Sequence, residues 1–547
     1  MHSYKIDKKY SKPVAYFSSE FAIHQPLKIY SGGLGFLAGS HMRSAYDLKQ
    51  NLVGVGILWK RGYYDQIRKE DGSLGTDFRI KYNNFLKDTG VKVVVPFLDR
   101  KVTVKVWKLE ADTFETAPII LLSTDTSEND AMLRTITDKL YDDDKITRLA
   151  QYMVLGIGGA LALEALGFTP DIYHLNEAHP LPVAFWLLNK FKGDFAEVKK
   201  RLIFTTHTPE DAGNERSDFD MIKKTGFLAG VKPETIKHLW ASDEETTFNH
   251  SLVALRMAKL SNAVSKIHGD VSRDMWKSAK DICEITHITN AQNKRYWADP
   301  ILEKALQTND DELLMSRKRE LKKALFDEVA DQTGKVLDPD ALTIVWARRF
   351  AGYKRADLIL ADLKRFKKIV SNSKRPVQVI WAGKPYPLHW EAIDTFNDIH
   401  KTTLSIPNCT ILVGYELRLS RLLKQGSDIW LNNPRYSREA SGTSGMTAAM
   451  NASVNFSIGD GWVPEFAKDG ENCFVIPHLD HNLPLEVQDK HDVDEMYKIL
   501  EKKIVPMYYN KPKEWVKVVK QSMIDVAPAF DSDRMADEYY VKLYNAE

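Results

Sequence analysis

The chain has 547 residues, long enough for two or more domains. Hydrophobic residues make up 44% of it and charged residues 27%, a globular composition that argues against disorder. Its 76 Lys and Arg residues nearly balance 74 Asp and Glu residues, so the net charge of +2 argues against nucleic acid or an anionic membrane as partner. The three cysteines are too few and too scattered for a disulfide framework, and no two have the spacing of a zinc site. Such cysteine usage is typical of a reducing compartment.

The start of the sequence is charged and has no apolar run, so it does not resemble a secretory signal. The most apolar stretch, residues 153–168, is interrupted by Glu164 and falls short of the roughly 20 residues that a bilayer span needs. We therefore expect a buried core helix there and a cytoplasmic protein with no membrane partner.

Short apolar, β-branched runs alternate with helical patterns along the chain. The first series of predicted strands comprises residues 14–17, 52–57, 92–95, 102–106, 118–122, 171–175 and 201–205. The second series comprises residues 342–347, 377–382, 409–413 and 428–431. Helices are predicted over residues 145–166, 182–190 and 355–368. Strands that are apolar on both faces, with helices between them, indicate an α/β fold with two doubly wound parallel sheets.

A polar, charge-dense stretch over residues 309–340 separates the two series, and its centre predicts an amphipathic helix with acidic residues at its start. We place the domain boundary between about residues 290 and 340. The prediction is an N-terminal domain over residues 1–290, a C-terminal domain over 291–530 and a polar-faced C-terminal helix over 531–547 that can pack back on the N-terminal domain.

The first candidate site is the glycine-rich segment YSGGLGFLAGS, residues 30–40, which precedes a helical pattern. Glycine permits positive φ and close approach to a ligand, and a helix N-terminus offers unpaired N–H groups to an anion. The same glycines also suit a plain tight turn. Their spacing fits neither a dinucleotide fingerprint nor a Walker A loop.

The second candidate is RRFAGYKR, residues 348–355, at the carboxyl end of the predicted strand 342–347. That edge of an open α/β sheet faces the ligand crevice, and its four basic groups suit phosphate or pyrophosphate. A solvated basic helix start is the alternative.

The third candidate is REASGTSGMTAAMN, residues 438–451. Glu439 can bind sugar hydroxyls and the backbone of residues 441–445 can hold an anion, although the small residues also suit a helix–helix contact.

His207 follows the predicted strand 201–205, and His179 ends the segment HLNEAH after the strand 171–175. A lone histidine is usually structural, and the HLNEAH spacing is not that of a metalloprotease helix. The sequence has no metal constellation and no G-x-S-x-G elbow. Together the candidates indicate a cleft between two α/β domains that handles phosphate and sugar.

Eight segments between about residues 16 and 462 resemble the α-glucan (glycogen, maltodextrin, starch) phosphorylases, above all their short form. They are YFSSEF with YSGGLGFLAG, HLNEAHP, FTTHTP, SNAVSKIHGDVSRDMW, ITNAQNKRYW, RRFAGYKRADLIL, AGKPYP, and EASGTSGM with NFSIGDGW. The resemblance implies a GT-B fold, in which two Rossmann-like domains face each other across a cleft, and often a homodimer. It also implies retaining phosphorolysis of terminal α-1,4 bonds of a glucan to glucose 1-phosphate. The family's cofactor is pyridoxal phosphate, whose 5′-phosphate exchanges a proton with the substrate phosphate.

The resemblance also implies roles for single residues. The backbone of Gly33 and Leu34 would contact phosphate and sugar, and His207 would stabilise the oxocarbenium-like glucose. Asn290 and Glu439 would bind sugar hydroxyls. The rest of the predicted substrate-binding set is His179, Ser441 and Gly442.

On the phosphate side, Arg349 would hold the substrate phosphate, and Arg348 and Lys354 would neutralise the cofactor phosphate. The rest of the predicted cofactor-binding set is Gly33, Thr443, Ser444 and Thr447.

Two positions depart from the family pattern. Thr447 follows Met446 where the family has the lysine that binds pyridoxal phosphate as an imine, and Ala291 replaces a glycine. Three hypotheses remain open: a phosphorylase that holds pyridoxal phosphate non-covalently, a nucleotide-sugar-dependent α-glucosyltransferase whose basic cluster binds a diphosphate without pyridoxal phosphate, and a non-catalytic glucan-binding relative. The retained phosphate-binding residues argue against the third.

Overall fold

The computed structural model describes residues 1–240 and 246–546, and they form two compact units. Unit 1 comprises the described residues within 1–64, 78–290 and 532–547. Unit 2 comprises residues 65–77 and 291–531. The change of unit after Asn290 falls at one end of the range expected from the sequence.

Unit 1 is built around a nine-stranded sheet. Its strands, in spatial order, are Glu284–His287, Leu260–Ala263, Leu202–Thr205, Ile172–Asn176, Val14–Phe17, Leu52–Ile57, Ile119–Ser123, Arg100–Leu109 and Lys87–Phe97. The first seven are parallel, which confirms the doubly wound α/β prediction, and the last two are antiparallel. The antiparallel pair corrects the expectation for residues 92–95 and 102–106: only a short turn joins these strands, whereas parallel strands need a long crossover.

Helices cover both faces of this sheet. They are Gly33–Asp47, Lys145–Met153, Gly159–Ala165, Pro182–Lys190, Phe195–Lys199, Phe219–Thr225, Lys237–Trp240, His250–Met257, Lys266–Met275 and Ser532–Tyr539, with the shorter Ala111–Phe114 and Ala131–Arg134. A small antiparallel pair, Arg216–Asp218 and Thr247–Asn249, lies beside them. The helix Lys145–Ala165 is long and apolar enough to cross a membrane, but 78% of its most apolar window is buried in the protein. It is therefore the core helix expected from the sequence.

Unit 2 contains a six-stranded parallel sheet. Its strands, in spatial order, are Cys409–Leu412, Val377–Ala382, Leu342–Ala347, Ile429–Asn432, Val454–Ile458 and Cys473–Ile476. Numbered along the chain, the order is 3-2-1-4-5-6, which is that of a doubly wound dinucleotide-binding sheet. Ligands bind such sheets where the strand order reverses, here between Leu342–Ala347 and Ile429–Asn432.

The helices of unit 2 lie on both sides of its sheet. They are Lys294–Trp297, Pro300–Gln307, Asp311–Thr333, Leu363–Val370, Trp390–Leu404, Leu417–Gly426, Ser444–Ala449, Leu485–Ile499, Val505–Asn510 and Pro512–Phe530. Asp311–Thr333 confirms the amphipathic helix predicted from the charged stretch. The helix predicted over residues 355–368 is wrong at its start, because Arg355 has a φ of 50° and two short 3-10 turns precede Leu363.

Residues 65–77 correct the predicted N-terminal domain, since they pack within unit 2 as the hairpin Asp65–Arg68 and Leu74–Asp77. The side chain of Gln66 donates to Gly383 O at 2.7 Å and accepts from the N–H groups of Gly414 and Tyr415, both at 3.0 Å. The partners of Gln66 are backbone groups more than 300 residues away in sequence. No local sequence pattern can therefore indicate these bonds.

Candidate active site

Unit 1 has its own reversal of strand order, between Val14–Phe17 and Ile172–Asn176. The glycine segment follows the first of these strands, and the helix Gly33–Asp47 begins inside it, about two turns earlier than the sequence indicated. A β-carbon at Gly32 or Gly33 would point into open space. A β-carbon at Gly39 would lie 2.1 Å from Ala22 O, so only glycine lets this helix pack so closely.

His207 lies at the end of the next strand, Leu202–Thr205, and is half-buried. Its Nε2 is 2.7 Å from Asn176 Oδ1, and the amide nitrogen of Asn176 donates to Ser18 Oγ at 3.1 Å. Asn176 therefore presents an acceptor, and Nε2 carries the proton. Burial lowers the pKa of His207 to about 3, so the ring is neutral at pH 7 and its Nδ1 is an acceptor.

Glu177 is a candidate site residue that the sequence reasoning missed. It directly follows the strand Ile172–Asn176 with a φ of 71°, which is strained for a residue other than glycine. Its Oε2 accepts from the backbone N–H of His207 at 2.9 Å and from Thr208 Oγ1 at 3.3 Å. Burial raises the pKa of Glu177 to about 7, although the His207 N–H opposes this shift. Its position inside HLNEAH, just after a predicted strand, was the available signal.

His179 and Asn290 complete the predicted residues of unit 1. His179 Nδ1 is 3.2 Å from Ser19 Oγ, its ring packs against Tyr152, and burial lowers its pKa to about 4. Asn290 donates its backbone N–H to Val264 O at 2.9 Å. Its buried Oδ1 has no hydrogen-bond partner within the part of the chain that the structure describes. Such an atom is expected to bind a ligand or water.

In unit 2, Arg348 lies at the reversal of strand order. Its buried guanidinium donates from Nη2 to Leu431 O at 2.6 Å and lies over the ring of Trp346. Burial lowers its pKa to about 10, so it stays charged at pH 7. Its Nε is buried and has no hydrogen-bond acceptor among residues 1–240 and 246–546. Within the same residues, the buried Oδ1 atoms of Asn432 and Asn433 have no hydrogen-bond donor. These unsatisfied polar atoms make this sheet edge a candidate ligand site.

The neighbouring basic residues differ in role. Lys354 forms a buried ion pair with Glu439, whereas Arg349 is exposed. Arg355 pairs with Asp489 and Asp492, each at 2.7 Å, and donates to two backbone carbonyls. The prediction of four ligand-binding cations in RRFAGYKR is therefore wrong for Arg355, which holds the loop in place.

The loop that carries Glu439 is held by Asp460. This fully buried carboxylate accepts from the N–H of Glu439 at 2.9 Å and from the N–H of Gly461 at 2.8 Å. Burial raises the pKa of Asp460 to about 7, and the charge of Glu439 adds to the shift. A β-carbon at Gly442 or Gly461 would lie 3.1 or 3.2 Å from Cγ of Glu439, so the two glycines leave just enough room for its side chain.

The segment after Glu439 brings several predicted residues to this edge. The hydroxyl of Ser441 is buried and has no partner among the described residues, Gly442 has a φ of 82°, and Thr443 precedes the helix Ser444–Ala449. Ser444 Oγ accepts from Trp430 Nε1 at 3.3 Å.

Thr447 decides how pyridoxal phosphate can fit. Its side chain is fully buried, and its hydroxyl donates to Ser444 O at 3.0 Å. A threonine offers no amine, so an imine with the cofactor does not fit at residue 447. Arg348 retains an unsatisfied buried N–H, and both Arg348 and Lys354 lie close to Glu439. The residues present therefore fit the cofactor's phosphate group.

Known proteins resemble this chain over most of its length. A family model described as carbohydrate phosphorylase matches residues 286–498. An uncharacterized protein of Methanocaldococcus jannaschii is 46% identical over 97% of this chain and 100% of its own length. The maltodextrin phosphorylase of Thermococcus litoralis is 32% identical over 98% of this chain and 71% of its own length.

The glycogen phosphorylase of Aquifex aeolicus is likewise 32% identical, over 99% of this chain and 87% of its own length. Matches of this extent include both units and both groups of candidate residues. The chain therefore belongs to the carbohydrate phosphorylase family.

Proposed function

We propose that this chain is an α-glucan phosphorylase with the GT-B fold. It cleaves the terminal α-1,4 bond of glycogen or maltodextrin with inorganic phosphate and releases glucose 1-phosphate with retention of configuration. The observation that carries the proposal is the grouping in unit 2 of Arg348, Lys354 and Glu439, two buried cations and a buried carboxylate, at a sheet edge with unsatisfied polar atoms. The two relatives named as phosphorylases support it.

In this proposal the residues of unit 2 handle phosphate. Arg349, which is exposed, holds the substrate phosphate, while Arg348 and Lys354 hold the cofactor phosphate with Thr443 and Ser444 nearby. Arg348 keeps its charge because its pKa of about 10 lies well above pH 7, and its Nε has a proton to donate. Charge-assisted hydrogen bonds of this kind are the stronger ones.

The residues of unit 1 contact the sugar and, through the glycine segment, the phosphate as well. The backbone N–H groups of Gly33 and Leu34 contact phosphate and sugar, and Asn290 uses its unsatisfied Oδ1 to accept from a sugar hydroxyl. His207 is neutral because burial lowers its pKa to about 3. A neutral ring does not repel the positive charge that develops on the glucosyl group, whereas an imidazolium would.

Arg348 and Lys354 would hold pyridoxal phosphate non-covalently, and the phosphate group of the cofactor would supply proton exchange with the substrate phosphate. None of this chemistry needs an amine at residue 447. Glu439 accepts from a sugar hydroxyl and so orients the glucosyl unit, with Ser441 and Gly442 shaping the loop around it.

The proposal is tested by glucose 1-phosphate formation from maltoheptaose and inorganic phosphate, with and without added pyridoxal phosphate. Formation that depends on the cofactor supports it. Arg349→Ala should abolish formation, and Arg319→Ala is the matched control, because Arg319 is an exposed arginine paired with Asp340. An inactive wild-type chain under both conditions would contradict the proposal.

A second candidate function is glucosyl transfer from a nucleotide sugar. Thr447 favours it, because a buried threonine at the cofactor-binding position removes the usual covalent link. The diphosphate of the donor would then occupy Arg348 and Lys354. A nucleoside diphosphate that raises the unfolding temperature, in a chain inactive with phosphate, would establish this alternative. A chain that neither forms glucose 1-phosphate nor is stabilised by a nucleoside diphosphate, yet is retarded by glycogen in an affinity gel, would be a non-catalytic glucan binder.

A further inference from the structure

Glu20 is a buried acid that lies outside every role assigned above. It follows the strand Val14–Phe17, and its side chain is only 2% exposed. A buried carboxylate is costly unless hydrogen bonds or a cation compensate its charge. The partners that compensate it therefore indicate what the residue does.

Both carboxylate oxygens of Glu20 bind the glycine segment. Oε2 accepts from the backbone N–H of Ser31 at 2.6 Å and of Gly32 at 3.1 Å. Oε1 accepts from the hydroxyl of Ser31 at 3.0 Å. Gly32 is the residue that precedes the helix Gly33–Asp47, and as a glycine it has no side chain with which to cap that helix. Glu20 thus fixes the backbone from which the helix starts.

Tyr141 supplies the fourth hydrogen bond, from its hydroxyl to Oε1 of Glu20. Its own backbone has a φ of 60°, in the left-handed region that costs energy for a residue other than glycine. In this strained conformation the hydroxyl of Tyr141 lies within hydrogen-bonding distance of Glu20. Such strain is most often found at functional sites.

The glycines around Glu20 complete this arrangement. A β-carbon at Gly35 would lie 2.9 Å from Oε2 of Glu20, so the carboxylate packs directly on the glycine backbone. At Gly33, in contrast, nothing lies within 4 Å of a β-carbon. One side of the segment is therefore fixed to Glu20, and the other is open to a ligand.

We propose that Glu20 is a positioning residue that holds the N–H groups of Gly33 and Leu34 in the orientation needed to bind phosphate, with Tyr141 holding Glu20. This inference rests on the proposed function for the identity of the anion. Glu20 does not touch the substrate, because its four hydrogen bonds are made within the protein. Its effect is on how well the backbone donors are aligned.

The test compares Glu20→Gln, Tyr141→Phe and the control Tyr10→Phe. Tyr10 also donates to a carboxylate of unit 1, Asp537, at 2.8 Å, but its partner has no bond to the glycine segment. We expect the KM for phosphate to rise about tenfold in Glu20→Gln and about threefold in Tyr141→Phe, because hydrogen bonds to a charged group are lost. The KM for maltoheptaose should stay within about twofold in both, since one loop contacts little of a long glucan. Tyr10→Phe should change neither constant.

A purely structural role would lower the unfolding temperature without separating the two KM values. Equal phosphate KM values in the wild type and in a folded Tyr141→Phe would overturn the inference. Tyr141→Phe retains the carboxylate of Glu20, so the test remains possible if Glu20→Gln fails to fold. Calorimetric binding of inorganic phosphate separates the inference from the proposed function. If the wild type is inactive but binds phosphate, and the variants bind phosphate more weakly, the role of Glu20 is supported and the proposed function is not. If the wild type neither reacts with phosphate nor binds it, both the role of Glu20 and the proposed function are overturned.

Discussion

Lys354 and Glu439 are both buried and pair with each other next to Asp460. In Lys354→Ala the carboxylate of Glu439 would remain buried without its cation, which costs about 3–5 kcal/mol. We expect the free energy of unfolding to fall by that amount and turnover to fall at least about 100-fold, since a cation at the phosphate site is lost. Urea denaturation and the glucose 1-phosphate assay measure the two effects.

Arg319→Ala is the control for this ion pair. Arg319 and Asp340 form an exposed pair, and such pairs contribute less than about 1 kcal/mol. A Lys354→Ala variant as stable and as active as Arg319→Ala would show that the Lys354–Glu439 pair has neither role.

Thr447 leads to a prediction about covalent chemistry. Treatment with pyridoxal phosphate and borohydride should leave the peptide that contains residue 447 unmodified, because its side chain has no amine. Thr447→Lys should produce a reduced adduct at that position, provided that the cofactor binds at Arg348 and Lys354. Peptide mass mapping of both proteins decides the point, and a stable adduct on another lysine of the wild type would show that the covalent link has moved.

Glu177 should make stability depend on pH. Burial raises its pKa from 4.5 to about 7 in the folded chain, so the folded state binds more protons than the unfolded state in that window. The free energy of unfolding therefore loses a contribution as the pH rises from about 4.5 to 7. Glu177→Gln cannot titrate and should lack that contribution.

Other groups also contribute to the pH dependence in this window, among them His207, whose pKa falls from 6.5 to about 3 on folding, so that it gains a proton on unfolding below about pH 6.5. The measurement is therefore the difference in unfolding free energy between wild type and Glu177→Gln at several pH values. That difference should favour the wild type progressively less as the pH rises. A constant difference would show that the carboxyl group titrates normally.

At the scale of elements, strands buried on both faces were the most predictable part of the fold. Runs such as Leu342–Ala347 and Val377–Ala382 have the predicted bounds, because continuous apolar, β-branched sequence leaves little choice of structure. The strands Leu260–Ala263 and Val454–Ile458 were missed, since polar residues such as Asn262 and Asn455 interrupt their apolar pattern. Asn262 accepts from Thr205 Oγ1, 57 residues away in sequence, and Asn455 donates to Gly445 O.

Like the strands, the residues of the candidate site were predictable only where the local sequence is distinctive. Glu439 and Lys354 stand in specific motifs, and the structure pairs them. Glu177 and Asp460 were missed because their importance comes from the backbone N–H groups that they accept from, His207 and Glu439, and not from their own sequence context. A sequence shows which side chains are present, whereas hydrogen bonds to distant backbone appear only in the fold.

The hairpin Asp65–Arg68 and Leu74–Asp77 leads to a prediction at the same scale. Gln66→Ala removes one donor and one acceptor and leaves Gly383 O and two backbone N–H groups without their partner. Unsatisfied buried groups of this kind cost about 1–3 kcal/mol. Denaturation of Gln66→Ala should show a loss in that range, whereas Glu70→Ala, an exposed site in the same hairpin, should stay within about 0.5 kcal/mol of the wild type.

For the whole molecule, both units place their candidate residues where the strand order of the sheet reverses. In unit 1 that edge carries Glu20 and Glu177, and in unit 2 it carries Arg348. At a reversal, the two neighbouring strands lead to helices on opposite faces, which opens space for a ligand between their connecting loops. The shared topology explains why a loop of modest sequence specificity, such as the glycine segment, can be functional.

The chain leaves unit 1 after Asn290 and contributes to it again from Ser532 onward. This last segment contributes three almost fully buried tyrosines, Tyr539, Tyr540 and Tyr544. The hydroxyl of Tyr544 lies 2.6 Å from Nδ1 of His174, which is in a central strand of the sheet. Unit 1 should therefore depend on the C-terminus for its stability.

Tyr544→Phe would leave Nδ1 of His174 without this partner in a fully buried site, at a cost of about 1–3 kcal/mol. Tyr544→Ala would add a cavity and should cost about 3–5 kcal/mol. Val541→Ala is the control in the same segment, because Val541 is 55% exposed and should change stability by less than about 0.5 kcal/mol. Chemical denaturation followed by tryptophan fluorescence measures all three variants. The order of their effects is the critical result, since a Val541→Ala loss equal to that of Tyr544→Ala would mean that the segment is not packed on the sheet as described.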